Sequence, residues 1–126
     1  MAYGMRATGA VLRLGPPRAP ETILCEGYAT GLSIDAAVKQ MRLNAAVLVC
    51  FSDVNMRQVS GLVQGLKYAF ADNDVSGAGE RATQAAGLAY CMSDVVGEDA
   101  NDLHQRAGLL AVSMKLMTAR RAAVGA

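Results

Sequence analysis

Acidic residues follow each of four apolar, strand-like segments of the chain. Glu26 ends the first segment, Asp53 the second, Asp72 and Asp74 the third, and Asp94 the fourth. In an open parallel sheet the functional edge lies beyond the carboxyl ends of the strands, so we expect these carboxylates on one edge. Gathered there they repel one another unless a cation compensates, and Mg²⁺ prefers oxygen ligands. The pattern predicts a divalent-cation site.

The pair Asp72 and Asp74 needs a turn to act together. Residues two apart point to opposite faces of an ideal strand. Asn73, Ser76 and Gly77 favour a turn at this point. A single acidic residue at a strand end often only caps the next helix or lies in solvent. The functional interpretation therefore depends on Glu26 and the Asp72–Asp74 pair sharing one edge.

Two arginines are predicted near the same edge. Arg57 follows the second strand, and Arg81 lies in the first turn of the third helix. Either guanidinium could contact a phosphate, because arginine matches the geometry of phosphate oxygens. A solvated arginine on a helix surface is the simpler interpretation of each, so Arg57 is retained only as a candidate phosphate contact.

The elements that must position these residues alternate between strand and helix. This alternation predicts an α/β fold with a mostly parallel central sheet of about four strands and helices on both faces. The strand segments are almost wholly apolar, as expected where both faces are buried. Strands are predicted at 22–25, 45–51, 68–71 and 87–92, and helices at 29–41, 55–66, 78–86 and 103–121.

Composition restricts the classes of protein that the chain can represent. It has 126 residues, of which 52% are hydrophobic, and a formal net charge of +1, which excludes a strongly basic nucleic-acid binder. The longest apolar run, residues 45–51, is too short to cross a membrane. The amino terminus lacks a signal-peptide pattern, so we expect a cytoplasmic protein without a membrane partner. The three cysteines are widely spaced and are expected to be buried thiols.

Three regions are expected along the chain. Residues 1–20, with a proline-rich end, are interpreted as a leader or as the edge of a neighbouring domain in a longer protein, and residues 10–14 (AVLRL) could form a short strand within it. Residues 21–118 form the folded domain. Residues 119–126 are predicted to be a frayed tail.

Three short segments carry a resemblance to a known family. Residues 26–33 (EGYATGLS) and 71–74 (ADND) resemble the Toprim domain, and more narrowly the Toprim domains of phage- and plasmid-type DNA primases. Residues 99–104 (DANDLH) resemble the acidic segment that follows in those proteins. The resemblance covers residues 20–110 approximately, and it implies the Toprim-like, Rossmann-like sheet that the alternation predicts. Residues 54–56 (VNM) depart from the expected Asn-Leu pattern, so a role for Asn55 stays open.

The resemblance implies a site and an activity. Glu26 would be the general acid or base, Asp72 and Asp74 would bind Mg²⁺ or Mn²⁺, and Asp102 would be a further or water-mediated ligand. The implied activity is that of a nucleotidyltransferase, which makes RNA primers on single-stranded DNA from nucleoside triphosphates. Other domains of a larger primase or primase-helicase are the implied partners. We expect the isolated chain to be inactive or weak.

Other interpretations of the same residues stay open. The chain could keep the Toprim fold and only bind nucleic acid or a partner. Gly77-Ala78-Gly79-Glu80-Arg81-Ala82 imitates a dinucleotide-binding loop, although Asp72 and Asp74 would repel a pyrophosphate there. The run 72–75 (DNDV) also matches the nucleophile motif of haloacid-dehalogenase-type phosphatases, but that motif normally ends the first strand, whereas here it ends the third.

Overall fold

A computed structural model describes residues 10–125 of the chain. Five strands and five helices follow one another in nearly regular alternation over this range. The strands are β1 (Leu12–Leu14), β2 (Glu21–Cys25), β3 (Ala45–Val49), β4 (Leu66–Phe70) and β5 (Ala89–Cys91). The helices are α1 (Tyr28–Met41), α2 (Asp53–Ser60), α3 (Ala78–Ala85), α4 (Ala100–Ala107) and α5 (Leu109–Gly125).

The five strands form one sheet in the order β1-β3-β2-β4-β5. Strands β2 to β5 pair in parallel, and β1 pairs antiparallel with β3 at the edge. The predicted α/β fold with a mostly parallel sheet is therefore confirmed, although the sheet has five strands where about four were expected. The fifth strand, β1, lies within the short strand that the sequence suggested at residues 10–14, and it joins the sheet instead of belonging to a separate leader.

The inner strands alternate their side chains between two buried layers. Ile23, Val47 and Tyr68 point into a core that α1, α4 and α5 cover. Leu24 and Leu48 point into a smaller core on the other side, which α2 covers. Burying the apolar side chains on both faces removes them from water, at about 25 cal/mol per Å² of apolar surface. The carboxyl ends of β2, β3 and β4 are thereby held side by side.

The carboxyl-terminal region differs from the sequence prediction in two ways. One helix was expected over residues 103–121, but α4 ends at Ala107 and α5 starts at Leu109. Between them lies Gly108, whose φ of 91° is readily adopted only by glycine. Residues 119–126 were expected to fray, yet α5 continues to Gly125, with Ala119 buried and Arg120 bonded to Glu21.

The segment before β2 is tied to the sheet. β1 is hydrogen-bonded to β3, and the Asn55 side chain donates to the Ala10 carbonyl oxygen at 3.0 Å. Asn55 is buried and also donates to the Cys50 carbonyl oxygen, which gives this residue a structural role at the end of β3. The domain boundaries at 21 and 118 stay a prediction. No helix within residues 10–125 has the length and apolarity to span a membrane.

Candidate functional site

Glu26 is the first residue after β2, at the carboxyl edge of the sheet. Its backbone carbonyl accepts a hydrogen bond from the Phe51 N–H at 2.8 Å, which ties the end of β2 to the chain leaving β3. The Glu26 side chain is half-buried. Burial raises its pKa, and the neighbouring carboxylates of Asp53 and Asp74 raise it further. The structure thus places Glu26 among other acids, as the sequence predicted.

Asp72 is the most perturbed carboxylate of this edge. Its pKa is raised from 3.8 to about 6, mainly by burial and then by the charges of Asp99, Glu26, Asp74 and Asp102, in that order. Its Oδ1 atom is buried, and no hydrogen-bond donor within the described residues reaches it. A buried carboxylate oxygen without a partner is costly, because its desolvation is not compensated. Asp72 therefore presents a buried carboxylate oxygen that no donor of the described residues satisfies.

Asp74 is held by the turn that leads into α3. The Gly79 N–H lies 3.3 Å from both carboxylate oxygens of Asp74, and the Ser76 hydroxyl donates to Oδ1 at 3.4 Å. The turn ends at Gly77, whose φ of 74° suits glycine. It is the turn that the sequence predicted, and it brings Asp74 close enough to raise the pKa of Glu26.

The glycines of this turn have a packing explanation. A Cβ atom on Gly79 would lie 2.5 Å from the Asp72 carbonyl oxygen, so only glycine fits. The Gly79 N–H, which a dinucleotide pyrophosphate would need, already faces the Asp74 carboxylate. A pyrophosphate at this position would meet a negative charge instead of a free amide. This geometry weighs against a dinucleotide-binding loop at 77–82.

The segment that carries Asp102 approaches the site from α4. Asp99 and Asp102 form a capping box, in which the Asp102 N–H donates to Asp99 at 2.8 Å and the Asp99 N–H donates to Asp102 at 3.1 Å. Both acids raise the pKa of Asp72, and Asp99 has the larger effect. Asp102 thus has a structural task besides its predicted ligand role. Asp99 was overlooked as a site residue, although the spacing Asp-x-x-Asp signals such a cap.

Two adjoining cavities connect the acids with the arginines. A small cavity of about 10 Å³ is lined by Glu26, Asp53 and Asp72, among others. A cleft of about 230 Å³ lies beside it and is lined by Asp53, Arg57 and Arg81. Asp53 and Ala82 line both spaces, so the two lie next to each other along the carboxyl edge, and they are called the groove below. Arg57 reaches this groove as predicted. Asp53 was noticed at the end of the second strand but not named as a site residue.

The residues fit a divalent cation that completes its shell with water or substrate. No group of three or more acidic, histidine or cysteine side chains within residues 10–125 converges as a complete metal site. Mg²⁺ does not require one, because it takes one or two carboxylates and fills its other positions with water and phosphate oxygens. Hard oxygen donors and the unpartnered Oδ1 of Asp72 match that chemistry.

Other chemistry-bearing side chains have structural roles. Cys25, Cys50 and Cys91 are buried free thiols, as expected, and burial raises the pKa of Cys50 to about 12. His104 lies 3.1 Å from the Ser33 hydroxyl and joins α4 to α1. Neither set contributes to the groove.

A comparison with protein families identifies the family to which the chain belongs. A family model described as the Toprim domain matches residues 21–109. The chain belongs to the Toprim family. Toprim domains occur in metal-dependent nucleic-acid enzymes of the nucleotidyl-transfer and nuclease types, and they bind divalent metals through acidic residues. No curated protein and no solved structure matches this Toprim domain.

Proposed function

We propose that this Toprim domain is the nucleotidyl-transfer centre of a DNA primase, which makes RNA primers on single-stranded DNA. The observation that carries the proposal is the buried, unpartnered Asp72 oxygen beside Glu26 and Asp74. Nucleotidyl transfer needs charge neutralisation and positioning more than covalent chemistry from the protein. The proposed substrates are nucleoside triphosphates and a single-stranded template. Other domains of a primase or primase-helicase would hold both.

The acids have separate roles in this proposal. Asp72 and Asp74 would hold Mg²⁺ or Mn²⁺, with Asp102 as a water-mediated ligand. The bound cation supplies charge neutralisation at the triphosphate and lowers the pKa of a coordinated hydroxyl. Glu26 takes the proton of the attacking 3′-hydroxyl as the new phosphodiester bond forms and pyrophosphate leaves. The raised pKa of Glu26 favours this role, since an acid or base works best near the operating pH.

The cleft beside the acids provides a place for a further phosphate. Arg57 and Arg81 line it, and both are exposed. Arg81 also donates to the Ser76 carbonyl oxygen at 2.8 Å, which holds its guanidinium at the cleft. We assign Arg57 the contact with a phosphate next to the reacting one. Arginine suits this task because its planar fork binds phosphate oxygens in pairs.

The test measures primer synthesis by the protein that is encoded by the longest open reading frame containing this chain. With Mg²⁺ or Mn²⁺, template and nucleoside triphosphates, we expect primers from the unchanged protein. Glu26→Gln should abolish synthesis while the fold and the metal-induced stabilisation survive, because the variant removes only the proton acceptor. Asp94→Asn is the matched control. The sequence predicted Asp94 at the same edge, but the structure pairs this exposed acid with Lys115 of α5, and Asp94 does not line the groove. The substitution should therefore leave synthesis unchanged.

Two results would contradict the proposal. Near-normal primer synthesis by Glu26→Gln would show that Glu26 is not the acid–base residue of the reaction. Binding of single-stranded DNA without metal-dependent synthesis would favour the non-catalytic module instead. The isolated chain of residues 1–126 is expected to make little or no primer, since a domain with balanced charge has little surface for template, nucleotide and primer together.

A further inference from the structure

Phe51 has an unusual backbone at the carboxyl edge of the sheet. Its φ is 68°, a left-handed conformation that is costly for a bulky residue. Its N–H donates to the Glu26 carbonyl oxygen, so the strained residue is attached directly beside the proposed acid–base residue. The side chain gains no burial in return, because it is 53% exposed. Local strain of this kind concentrates at functional sites.

The two most exposed aromatic side chains of the described residues lie close to Glu26. Five aromatic residues lie within the described part of the chain. Tyr68 and Phe70 are fully buried, and the Tyr90 hydroxyl is bonded to Glu80. The other two are Phe51 and Tyr28, which is 51% exposed at the start of α1, two residues after Glu26. Both leave apolar ring surface in water at the edge where the groove lies.

We propose that Phe51 and Tyr28 form a stacking surface for an unpaired base of a nucleic-acid strand. The inference rests on the proposed nucleic-acid function and adds a base subsite to it. An aromatic ring stacks on any base, so the surface binds a strand without reading its sequence. The arginine-lined cleft contacts the backbone of the same strand, and the two aromatic rings contact its bases.

The charges of the chain and of the groove indicate that electrostatic attraction alone would bind a nucleic-acid strand weakly. The net charge is +1, and the groove contains at least as many acids as arginines. Attraction between phosphates and basic residues, which dominates binding to strongly basic proteins, is therefore weak here. Stacking on exposed rings does not depend on net charge. It supplies affinity at an edge whose carboxylates would otherwise repel a strand.

The test compares a single-stranded DNA oligonucleotide with an abasic strand of the same length and charge. Fluorescence anisotropy with residues 1–126, in Mg²⁺ at low salt, measures both affinities. We expect the unchanged protein to bind the base-containing strand about tenfold more tightly, as one or two stacked bases provide. Phe51→Gly should abolish that preference. Its melting midpoint should stay the same or rise, because glycine adopts the left-handed conformation without strain.

Two further variants separate ring stacking from other effects. Tyr28→Phe keeps the ring and should keep the preference, whereas Tyr28→Ala should reduce it. Leu62→Ala removes an apolar side chain that is 77% exposed after α2, away from Glu26, and should change nothing. The inference is overturned if the two strands bind equally, if no binding occurs at low salt, or if Phe51→Gly keeps the preference.

The two proposals fail in distinguishable ways. If the protein prefers the base-containing strand but Glu26→Gln does not reduce primer synthesis, the stacking surface is supported and the proposed reaction is contradicted. Synthesis that requires Glu26, together with base-independent binding, would keep the reaction and remove the stacking surface.

Discussion

At the scale of single residues, burial determines how the carboxylates behave. Asp72 and Glu26 have raised pKa values, and burial is the largest cause for both. Neighbouring acids add to the effect, because a second negative charge disfavours ionisation. The protein without a cation therefore carries a penalty at neutral pH. Such a penalty is expected where a cation binds to the folded state.

The first prediction concerns the pH dependence of stability. The pKa of Asp72 is about 6 in the folded protein and near 3.8 in an unfolded chain. The folded state then binds more protons between these values, so the free energy of unfolding falls as the pH rises from about 4 to 6. Asp72→Asn imitates the protonated form. Without divalent cations it should exceed the unchanged protein in stability by about 1–2 kcal/mol at pH 7, after allowance for solvent screening.

Urea denaturation of both proteins at pH 4 and pH 7 measures this difference. The two stabilities should approach each other at pH 4, where Asp72 is protonated. A constant difference at both pH values would show that Asp72 does not titrate in this window. Asp94→Asn is the control for loss of an exposed charge.

At the scale of elements, the connection from β4 to α3 builds the acidic pair. The strand delivers Asp72, and the turn at 75–77 directs Asp74 back toward Glu26. α3 starts close against this connection, because Gly79 touches the Asp72 backbone. The position of α3 and the position of the carboxylates are therefore coupled.

The second prediction tests this coupling with Gly79→Ala. The added Cβ would lie 2.5 Å from the Asp72 carbonyl oxygen, so the backbone must shift. We expect a loss of about 1–3 kcal/mol in the free energy of unfolding, as for overpacking in a core. Weaker stabilisation by Mg²⁺ should accompany it. Thermal melting with and without Mg²⁺ measures both effects.

Gly61→Ala is the matched control for that substitution. Gly61 has a helical φ of −70°, and the nearest atom to an added Cβ is 3.8 Å away. Its stability should stay within about 1 kcal/mol of the unchanged protein. Equal effects of the two substitutions would contradict a close contact at Gly79.

At the scale of the whole molecule, an ionic cluster around the buried Glu21 holds the amino-terminal end of β2, at the opposite end of the strand from Glu26. Glu21 starts β2 and is only 5% exposed. Both of its oxygens accept hydrogen bonds from Arg120 of α5, at 2.9–3.2 Å, and Tyr68 donates to it at 2.9 Å. These bonds join the end of the chain to the middle of the sheet, which is why α5 does not fray at residue 119.

The third prediction concerns this cluster. Arg120→Met leaves Glu21 buried without its cation, and it should cost about 1–3 kcal/mol, since Arg120 is partly exposed. Glu21→Gln combined with Arg120→Met should recover part of the loss, because no uncompensated charge remains. Urea denaturation measures both. An unchanged stability of Arg120→Met would mean that α5 is held by apolar contacts alone.

The fourth prediction concerns the binding of a divalent cation to the whole domain. A ligand that binds only the folded state at ten times its Kd adds about 1.4 kcal/mol of stability. Mg²⁺ or Mn²⁺ should therefore raise the melting midpoint by roughly 3–6 °C. Asp72→Asn with Asp74→Asn should remove this shift. NADH should cause none in either protein.

Thermal melting at fixed ionic strength provides the measurement. Stabilisation by NADH but not by metal would revive the dinucleotide-binding alternative. A metal effect that persists in the double variant would place the cation elsewhere.

The sequence alone was sufficient for the fold class and for the edge that carries the acids. Alternating strands and helices predict a parallel sheet, and Glu26, Asp72 and Asp74 follow strands whose carboxyl ends must share an edge. The turn at 75–77 was also predictable, because its residue types are local signals. These inferences depend only on neighbours along the chain.

Only the tertiary structure revealed which distant residues meet. The packing of α3 and α4 against the strand ends determines three features of the site. It buries the Asp72 oxygen, brings Asp99 close to Asp72, and places Asp53 between the two cavities. The end of α5 is ordered by Glu21, which lies 99 residues earlier. The left-handed conformation of Phe51 occurs where its N–H is hydrogen-bonded to the end of β2, at Glu26. A sequence pattern records local preference, whereas these features arise from contacts between segments far apart in the chain.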